Sequence, residues 1–188
     1  MSTIQIFGGA DCWETVPELP EGAERWGLNN LILKPSLKPR FEGWTRWFDL
    51  HTTTHIKARK PNVYPWECQQ TKPVVRWAVD SQMPSSVVYP LEAGRDTFDN
   101  TRLFVSTFDW LMALAIHIGT ERIDLYGWEM SHPHYRHQIH VGRWWLQQAE
   151  QRGVVVVNYS RSQLFSARYP RPPLDTLVPQ RMYGLETD

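Results

Sequence analysis

The sequence predicts an α/β protein built on an open, mostly parallel β-sheet with helices on both faces. Two observations support this fold class. Apolar segments of strand length recur along the chain, and several, such as residues 154–157 in "GVVVVNYS", are continuous rather than alternating, which is typical of strands buried on both faces. In the second half of the chain these segments alternate with longer segments of helical periodicity, as in βαβ units.

Six strands are predicted from segments rich in β-branched and aromatic residues that are bounded by turn-forming residues. They are residues 3–8 (TIQIFG), 23–30 (AERWGLNN), 45–51 (TRWFDLH), 73–79 (PVVRWAV), 122–128 (RIDLYGW) and 153–160 (GVVVVNYS).

Two helices are predicted between and after these strands. The first covers about residues 106–118, where apolar side chains recur near helical spacing. It begins at Ser106 or Thr107, either of which can cap a helix, and it ends at Gly119. The second covers about residues 136–152 and is ended by Gly153. Helix, strand, helix and strand in this order fit a parallel sheet.

The remaining segments have weaker patterns. Residues 51–105 contain many prolines and are predicted to form loops and short elements over the sheet edge. The tail from Ser166 has four prolines in the stretch 170–179 and is predicted to be an extended arm. We therefore expect a Rossmann-like domain over residues 1–165 and an extended, Pro-rich C-terminal arm over residues 166–188.

Composition limits the classes of partner. Lys plus Arg equals Asp plus Glu, at 20 each, so no global charge favours nucleic acid or an anionic membrane. No apolar run approaches the roughly 20 residues that span a bilayer, and the N-terminus does not have the pattern of a signal peptide. We expect a soluble, cytoplasmic protein. The 10 tryptophans suggest core packing or subunit contact, so we expect a homo-oligomer formed through a Trp-rich surface or the C-terminal arm.

Candidate ligand-binding residues follow the predicted strands. Ligands of open α/β sheets bind outside the carboxyl ends of the strands, where loops converge and helix N-termini present donors. Asp49 and His51 follow the third strand on one face and form a second candidate pocket. The candidates at the nucleotide-type crevice are Gly8, Gly9, Ala10, Asp11, Asn29, Asn30, Ser106, Thr107, Gly127, Trp128 and Glu129.

Each of these signals also has a purely structural interpretation. Residues 8–11 fit a plain tight turn, because the dinucleotide fingerprint would need a third glycine. Asn29 and Asn30 fit a turn with left-handed backbone. Ser106 and Thr107 fit simple helix caps. Asp49 and His51 could equally stabilise the loop that follows them. The sequence leaves these alternatives open.

A histidine cluster lies between the fifth strand and the second helix, with His132, His134, His137 and His140 within nine positions. A zinc site is disfavoured because the HExxH signature and Cys or carboxylate partners at ligand spacing are missing. A loop with one general acid or base, or simply surface histidines, fits the pattern.

The block 106–165 resembles the bacterial sialyltransferases of glycosyltransferase family forty-two. The stretch "ALAIHIGTERIDLYGWEM" is similar to the centre of that family's pattern, with Glu129 at its acidic position, and "IFGGADCWE…RWGLNN" is similar to its nucleotide-binding turn and the following strand. The pattern also resembles small Rossmann-like proteins of tailed bacteriophages and the 6-hydroxymethylpterin diphosphokinase-like family. A phage-encoded protein would act in the host cell cytoplasm.

The sialyltransferase resemblance implies a nucleotide-sugar donor of the CMP-sugar type. It implies that His134, next to Tyr135, is the general base that removes the acceptor hydroxyl proton. It implies no metal ion and no cofactor. The donor-binding residues implied are Gly8, Gly9, Asn29, Asn30, Ser106 and Thr107.

The chain departs from that family at three places. The turn reads "GGADC", which places Asp11 where a phosphate would be repelled; Phe108 replaces a glycine; and residues 51–100 hold at most a reduced acceptor lid. Three functions remain: a metal-independent, sialyltransferase-like glycosyltransferase that binds a nucleotide or nucleotide-sugar, a non-catalytic nucleotide-binding or sequestering phage factor, and a structural, virion-associated assembly protein. The first is favoured because the polar residues cluster where this architecture binds ligands.

Overall fold

The computed structural model describes residues 1–10, 16, 18–34, 43–95, 103–129 and 136–160. Every helix in these ranges falls short of the length and apolar character needed to cross a bilayer. The strands are β1 Thr3–Phe7, β2 Glu24–Leu28, β3 Arg46–Phe48, β4 Val74–Arg76, β5 Ser86–Val88, β6 Arg122–Tyr126 and β7 Val155–Asn158. The helices are α1 Thr53–Arg59, α2 Val63–Cys68, α3 Leu91–Arg95, α4 Thr107–His117 and α5 Arg136–Gln151, with a 3-10 helix at Leu31–Leu33.

The seven strands form one sheet in the order β5-β4-β3-β2-β1-β6-β7. Every strand pair is parallel, so the predicted open, parallel α/β fold is confirmed. The chain moves outward from β1 to β5 on one side and then returns to place β6 on the other side of β1. The strand order therefore reverses between β1 and β6, which is where open α/β sheets open a crevice for ligands.

Both faces of the sheet are covered by hydrophobic side chains. On one face Ile4 and Ile6 of β1 belong to a core that includes Leu111 of α4 and Trp145 of α5. On the other face Phe7 and Trp47 pack in a second core with α1 and α2. Strands β1 and β4 are buried along their whole length, as is typical of a parallel sheet covered on both faces. Strand β7 at the sheet edge differs, because Val155 is exposed and the rest of this strand is half-buried although it reads as a continuous apolar run.

The helix boundaries agree closely with the sequence predictions. Helix α4 begins at Thr107, directly after its cap Ser106. Gly119 and Gly153 follow the two long helices with φ of 73° and 77°, which is the left-handed backbone that a helix end favours for glycine. Strand β5 was not predicted as a strand. It is three residues long and exposes Val87 and Val88 at the sheet edge, so it has too little alternation to be recognised.

The tryptophans in the described part of the chain are buried or half-buried. Trp26, Trp47 and Trp145 have no exposed surface, and Trp44 and Trp66 pack edge to face or tilted against Trp47 and each other. These indoles pack in or against the two cores, and a homo-oligomer stays a prediction. The predicted C-terminal arm lies outside the described residues.

Candidate functional site at the carboxyl edge of the sheet

Two glycines meet where the strand order reverses. Gly8 follows β1 and Gly127 follows β6, and the Gly8 N–H donates to the Tyr126 carbonyl at 2.6 Å, while the Ala10 N–H donates to the Gly127 carbonyl at 3.0 Å. A Cβ atom on Gly8 would lie 2.4 Å from the Gly127 oxygen. Gly127 itself has φ of 71°. The two strand ends can approach this closely only because both positions are glycine.

Lys34 reaches the glycine turn from the segment after β2. Its Nζ donates to the Gly9 carbonyl. Gly9 is exposed, and a Cβ atom there would make only an ordinary contact with Nζ, at 3.5 Å. A primary amine thus lies on an open turn at the sheet edge, where it can neutralise a phosphate. Sequence reasoning missed Lys34, because only the tertiary fold brings it to Gly9.

Asn29 links the ends of β2 and β3. It has φ of 50°, so the predicted left-handed turn is confirmed. Its N–H donates to the Phe48 carbonyl at 2.8 Å, and its carbonyl accepts from Trp47 Nε1 at 3.2 Å. The side-chain Oδ1 is buried and has no hydrogen-bond donor in the described part of the chain. Asn29 thus holds the carboxyl ends of β2 and β3 together at the sheet edge. Asn30 is exposed.

Trp128 lies beneath the glycine turn rather than open to it. Only 8% of it is exposed. Its Nε1 donates to the Ile6 carbonyl at 3.2 Å, its backbone N–H donates to Ser160 Oγ at 3.1 Å, and its ring lies 4.7 Å from that of Phe108. The predicted ligand contact of Trp128 therefore becomes a buried support that joins α4 to the sheet. Glu129, the next residue, is half-buried at the edge.

The start of α4 is already occupied by a carboxylate from its own first turn. Asp109 Oδ2 accepts from the Val105 N–H at 2.9 Å, the Ser106 N–H at 2.7 Å and Ser106 Oγ at 2.9 Å. Asp109 is fully buried, and this burial raises its pKa to about 7. The Ser106 groups that were predicted to hold a phosphate thus serve Asp109, which weakens the case for an anion at Ser106 and Thr107.

Asp49 and His51 form a hydrogen-bonded pair after β3. Asp49 Oδ1 lies 2.5 Å from His51 Nδ1, and Oδ2 lies 3.4 Å from Lys60 Nζ. Asp49 is fully buried, whereas the His51 side chain is 20% exposed and stacks on His55 at 4.8 Å. Burial by itself would raise the pKa of Asp49, but the hydrogen bond from His51 and the charge of Lys60 lower it below its usual value.

A second buried pair holds the loop that carries His51. Arg76 Nη1 lies 3.3 Å from Glu67 Oε2, and Nη2 donates to the His51 carbonyl at 3.4 Å and to Thr53 Oγ1 at 3.1 Å. Arg76 is 2% exposed and Glu67 is fully buried. Burial, together with the charge of Asp49, raises the pKa of Glu67 to about 8. The same cluster of buried charges thus shifts the pKa of Glu67 upward and that of Asp49 downward.

The two parts of the site share one edge of the sheet. β2 pairs with both β1 and β3. Neighbouring strands lie about 4.8 Å apart, so the ends of β1 and β3 are about 10 Å apart. Asn29 lies between them. The structure thus brings Gly8, Asn29 and Asp49 to the same edge, as the positions of the strand ends predicted.

Three of the predicted site residues, Asp11, His134 and Tyr135, lie outside the described residues. Of the histidine cluster, His140 is half-buried on α5. Within the ranges that the structure describes, no group of three or more His, Cys, Asp or Glu side chains is arranged to hold a metal ion.

No protein-family model and no curated protein sequence matches this chain. Among solved structures, it is similar to the sialyltransferase CstII from Campylobacter jejuni in complex with the substrate analogue cytidine-5'-monophosphate, with a TM-score of 0.58 and 11% identity over 87% of this chain and 82% of that chain. The chain shares its fold with this sialyltransferase.

Two further sialyltransferase structures have similar scores. CstII in complex with CMP-3FNeuAc gives a TM-score of 0.56 and 10% identity over 85% of this chain and 81% of that chain. CST-II in complex with a trisaccharide acceptor and CMP gives 0.56 and 11% identity, over 86% and 83%. At this identity the likeness is one of fold. The predicted resemblance to sialyltransferases is confirmed at that level, and the resemblances to phage proteins and to the pterin diphosphokinase-like family stay predictions.

Proposed function

We propose that the protein binds a nucleotide or nucleotide-sugar at the carboxyl edge of its sheet and acts as a metal-independent glycosyltransferase of sialyltransferase type. One observation carries the proposal: Gly8 and Gly127 meet where the strand order reverses, and the amine of Lys34 lies on the open Gly9 turn beside them. The complexes of the CstII structures with CMP and CMP-3FNeuAc support this ligand class.

The charges around the turn favour a ligand with one phosphate group. Among the described residues, Lys34 is the cation bonded to the turn, and the nearby start of α4 holds the acidic Asp109. A single amine balances one phosphate better than a di- or triphosphate chain.

The catalytic step of the proposal rests on the family resemblance. His134, beside Tyr135, is the candidate general base for the acceptor hydroxyl. Both residues lie outside the described part of the chain, so only a functional test can assign them. His134→Ala should abolish turnover of a CMP-sugar and leave the dissociation constant for CMP unchanged. Unchanged transfer rates would remove His134 from the mechanism.

Calorimetric titration with CMP tests the binding site directly. Gly9→Trp should abolish CMP binding, because the indole fills the open turn, and the exposed position of Gly9 lets the fold tolerate it. Gly9→Ala is the matched control and should bind like the wild type, because its Cβ makes only an ordinary contact. Equal CMP affinity in the wild type and Gly9→Trp would refute this location for the site.

Lys34→Gln tests the phosphate contact separately from the rest of the nucleotide. A charge-assisted hydrogen bond contributes about 1.5 to 3 kcal/mol, so the affinity for CMP should fall roughly 10- to 100-fold. The affinity for cytidine, which has no phosphate, should stay within about twofold. An equal loss for both ligands would contradict the assignment of Lys34 to the phosphate.

A non-catalytic nucleotide-binding protein is the second candidate. It is favoured by Asp109, which takes up the donors at the start of α4 that a transferring phosphate could otherwise use. CMP binding without release of CMP from any CMP-sugar would support it. A structural, virion-associated assembly protein is the third candidate, and a stable oligomer without CMP binding would support it.

A further inference from the structure

We infer that the protein forms a two-fold symmetric dimer in which strand β7 of one chain pairs antiparallel with β7 of a second copy. The inference goes beyond the proposed function and does not depend on it. It assigns the free edge of the sheet at β7 to another copy of this chain, so that the sheets of the two chains join into one.

The first support is the free side of β7. Among the described strands, β7 is the last in the sheet order and has its neighbour, β6, on one side. The N–H groups of Val155 and Tyr159 donate to carbonyls on the β6 side, both at 2.9 Å. Because backbone groups alternate in direction along a strand, those of Val156 and Asn158 point away from β6. Outward N–H and C=O groups of this kind are a template for a further strand.

The second support is the side chains at this edge. Val155 is 46% exposed and Tyr159 is 43% exposed, while Val156 and Val157 are half-buried. The strand, with the sequence VVVN, contains neither a charged residue nor a proline, the two features with which natural proteins often protect a free edge. Two copies can therefore meet here without placing like charges opposite each other.

The opposite edge of the sheet is protected. Strand β5 has three residues and lies between Pro84 and Pro90. Although Val88 is 50% exposed there, proline has no N–H to donate, and a strand this short offers few backbone groups to a partner. The comparison of the two edges favours β7 as the interface.

The third support is a register that serves both chains equally. In an antiparallel pair centred on Val157, Val156 lies opposite Asn158 of the second copy, and the two residues exchange both backbone hydrogen bonds. The two-fold symmetry repeats this exchange at the other end of the pair. The same register places Val155 opposite Tyr159 of the second copy, on one face of the joined sheet. Aromatic side chains opposite β-branched ones stabilise neighbouring strands.

The fourth support is that Tyr159 is already held in place. Its ring stacks on that of Tyr126 with 4.8 Å between the centroids and 4° between the planes, and its hydroxyl accepts from Arg122 Nη2 at 3.0 Å. Asp124 Oδ1 fixes the guanidinium in turn, at 2.9 Å from Arg122 Nε. A side chain that is ordered before association loses little conformational entropy on binding, and tyrosine is enriched at protein interfaces.

Sedimentation velocity of the full chain tests the dimer. The wild type should sediment as a dimer at roughly 100 µM and dissociate on dilution. Val155→Lys should raise the dissociation constant of the dimer at least roughly 100-fold, because a symmetric interface contains the buried, unpaired charge twice. Val156→Pro removes the outward N–H and leaves the bonds to β6, and it should raise the constant roughly 10- to 100-fold. Val88→Lys, at a similarly exposed position on the β5 edge, is the matched control and should stay within about twofold.

Amide hydrogen exchange of the wild type tests the register without any substitution. The amides of Val156 and Asn158 should exchange at least roughly tenfold faster in the diluted monomer than in the dimer, because dilution frees them. The amides of Val155 and Tyr159 should change less, because their bonds to the β6 side persist in the monomer. Thermal unfolding of each variant as a monomer identifies any that dissociate because they lose their structure.

Each contrary outcome overturns the inference. A wild type that stays monomeric up to roughly 100 µM shows that the β7 edge does not pair with a second copy. A dimer that both β7 variants leave intact, or that Val88→Lys weakens as strongly, uses another surface. Slow exchange of the Val156 and Asn158 amides that is independent of concentration would mean that residues 161–188 of the same chain cover the edge.

Discussion

Gly8→Ala tests the close approach of β1 and β6 on which the site depends. The added Cβ would lie 2.4 Å from the Gly127 oxygen and 2.9 Å from Trp128 Cδ2. Non-bonded heavy atoms prefer about 3.5 Å, so the two strand ends must separate by roughly 1 Å. Separation weakens the bonds from Gly8 to Tyr126 and from Ala10 to Gly127, which measure 2.6 and 3.0 Å.

We expect this change to lower the free energy of unfolding by about 2 to 3 kcal/mol. Overpacking in a close-packed region costs about 1 to 3 kcal/mol, and each weakened hydrogen bond contributes about 0.5 to 1.5 kcal/mol. In a chain of 188 residues, 1 kcal/mol shifts Tm by about 2 to 4 °C, so Tm should fall by roughly 4 to 12 °C. CMP affinity should fall as well, because the turn is displaced.

Differential scanning calorimetry of Gly8→Ala beside Gly9→Ala measures the effect. Gly9→Ala adds the same methyl group one residue later, where its nearest neighbour is the flexible end of Lys34 at 3.5 Å. It should change Tm by less than about 2 °C. Equal Tm shifts in the two variants, or a loss below about 1 kcal/mol in Gly8→Ala, would refute the close approach.

Three further predictions concern the buried polar groups. Burial raises the pKa of Glu67 from 4.5 to about 8. The contribution of the protonated carboxyl to the free energy of unfolding is therefore fully present below pH 4.5 and is lost as the pH rises through about 8. Urea midpoints of the wild type should fall between about pH 6 and 9 more than those of Glu67→Gln, and parallel profiles would contradict this. Arg76→Met removes the partner of Glu67 and the donor to the His51 carbonyl. It should lower the free energy of unfolding, measured with urea, by about 3 to 5 kcal/mol. A decrease of less than about 1 kcal/mol would show that the protein does not need the pair for stability. Trp128→Phe deletes the indole donor to Ile6 and should cost about 1 to 3 kcal/mol by chemical denaturation, with a neutral effect counting against the buried role of Trp128.

The sequence by itself determined the order and type of the main elements. Strands β1, β6 and β7 and helices α4 and α5 were predicted within a few residues, because apolar period, capping residues and glycine ends are local signals. The polar residues at the strand ends were also recognisable, because parallel strands share one carboxyl edge. Strand β5 was missed because three residues at an exposed edge carry no periodicity.

Only the tertiary structure decided which of these groups meet. Lys34 and Gly9 are 25 residues apart in the sequence, and so are Arg76 and His51. No local sequence pattern specifies a partner at such a separation. The sequence offered Ser106 both as a helix cap and as a phosphate contact, and Trp128 as a ligand contact. In the structure Ser106 caps α4 and bonds to Asp109, and Trp128 is buried. The sequence predicts where these residues lie along the strands and helices. Their burial and their hydrogen-bond partners arise only when the sheet and its helices pack together, so the tertiary structure decides what each residue can do chemically.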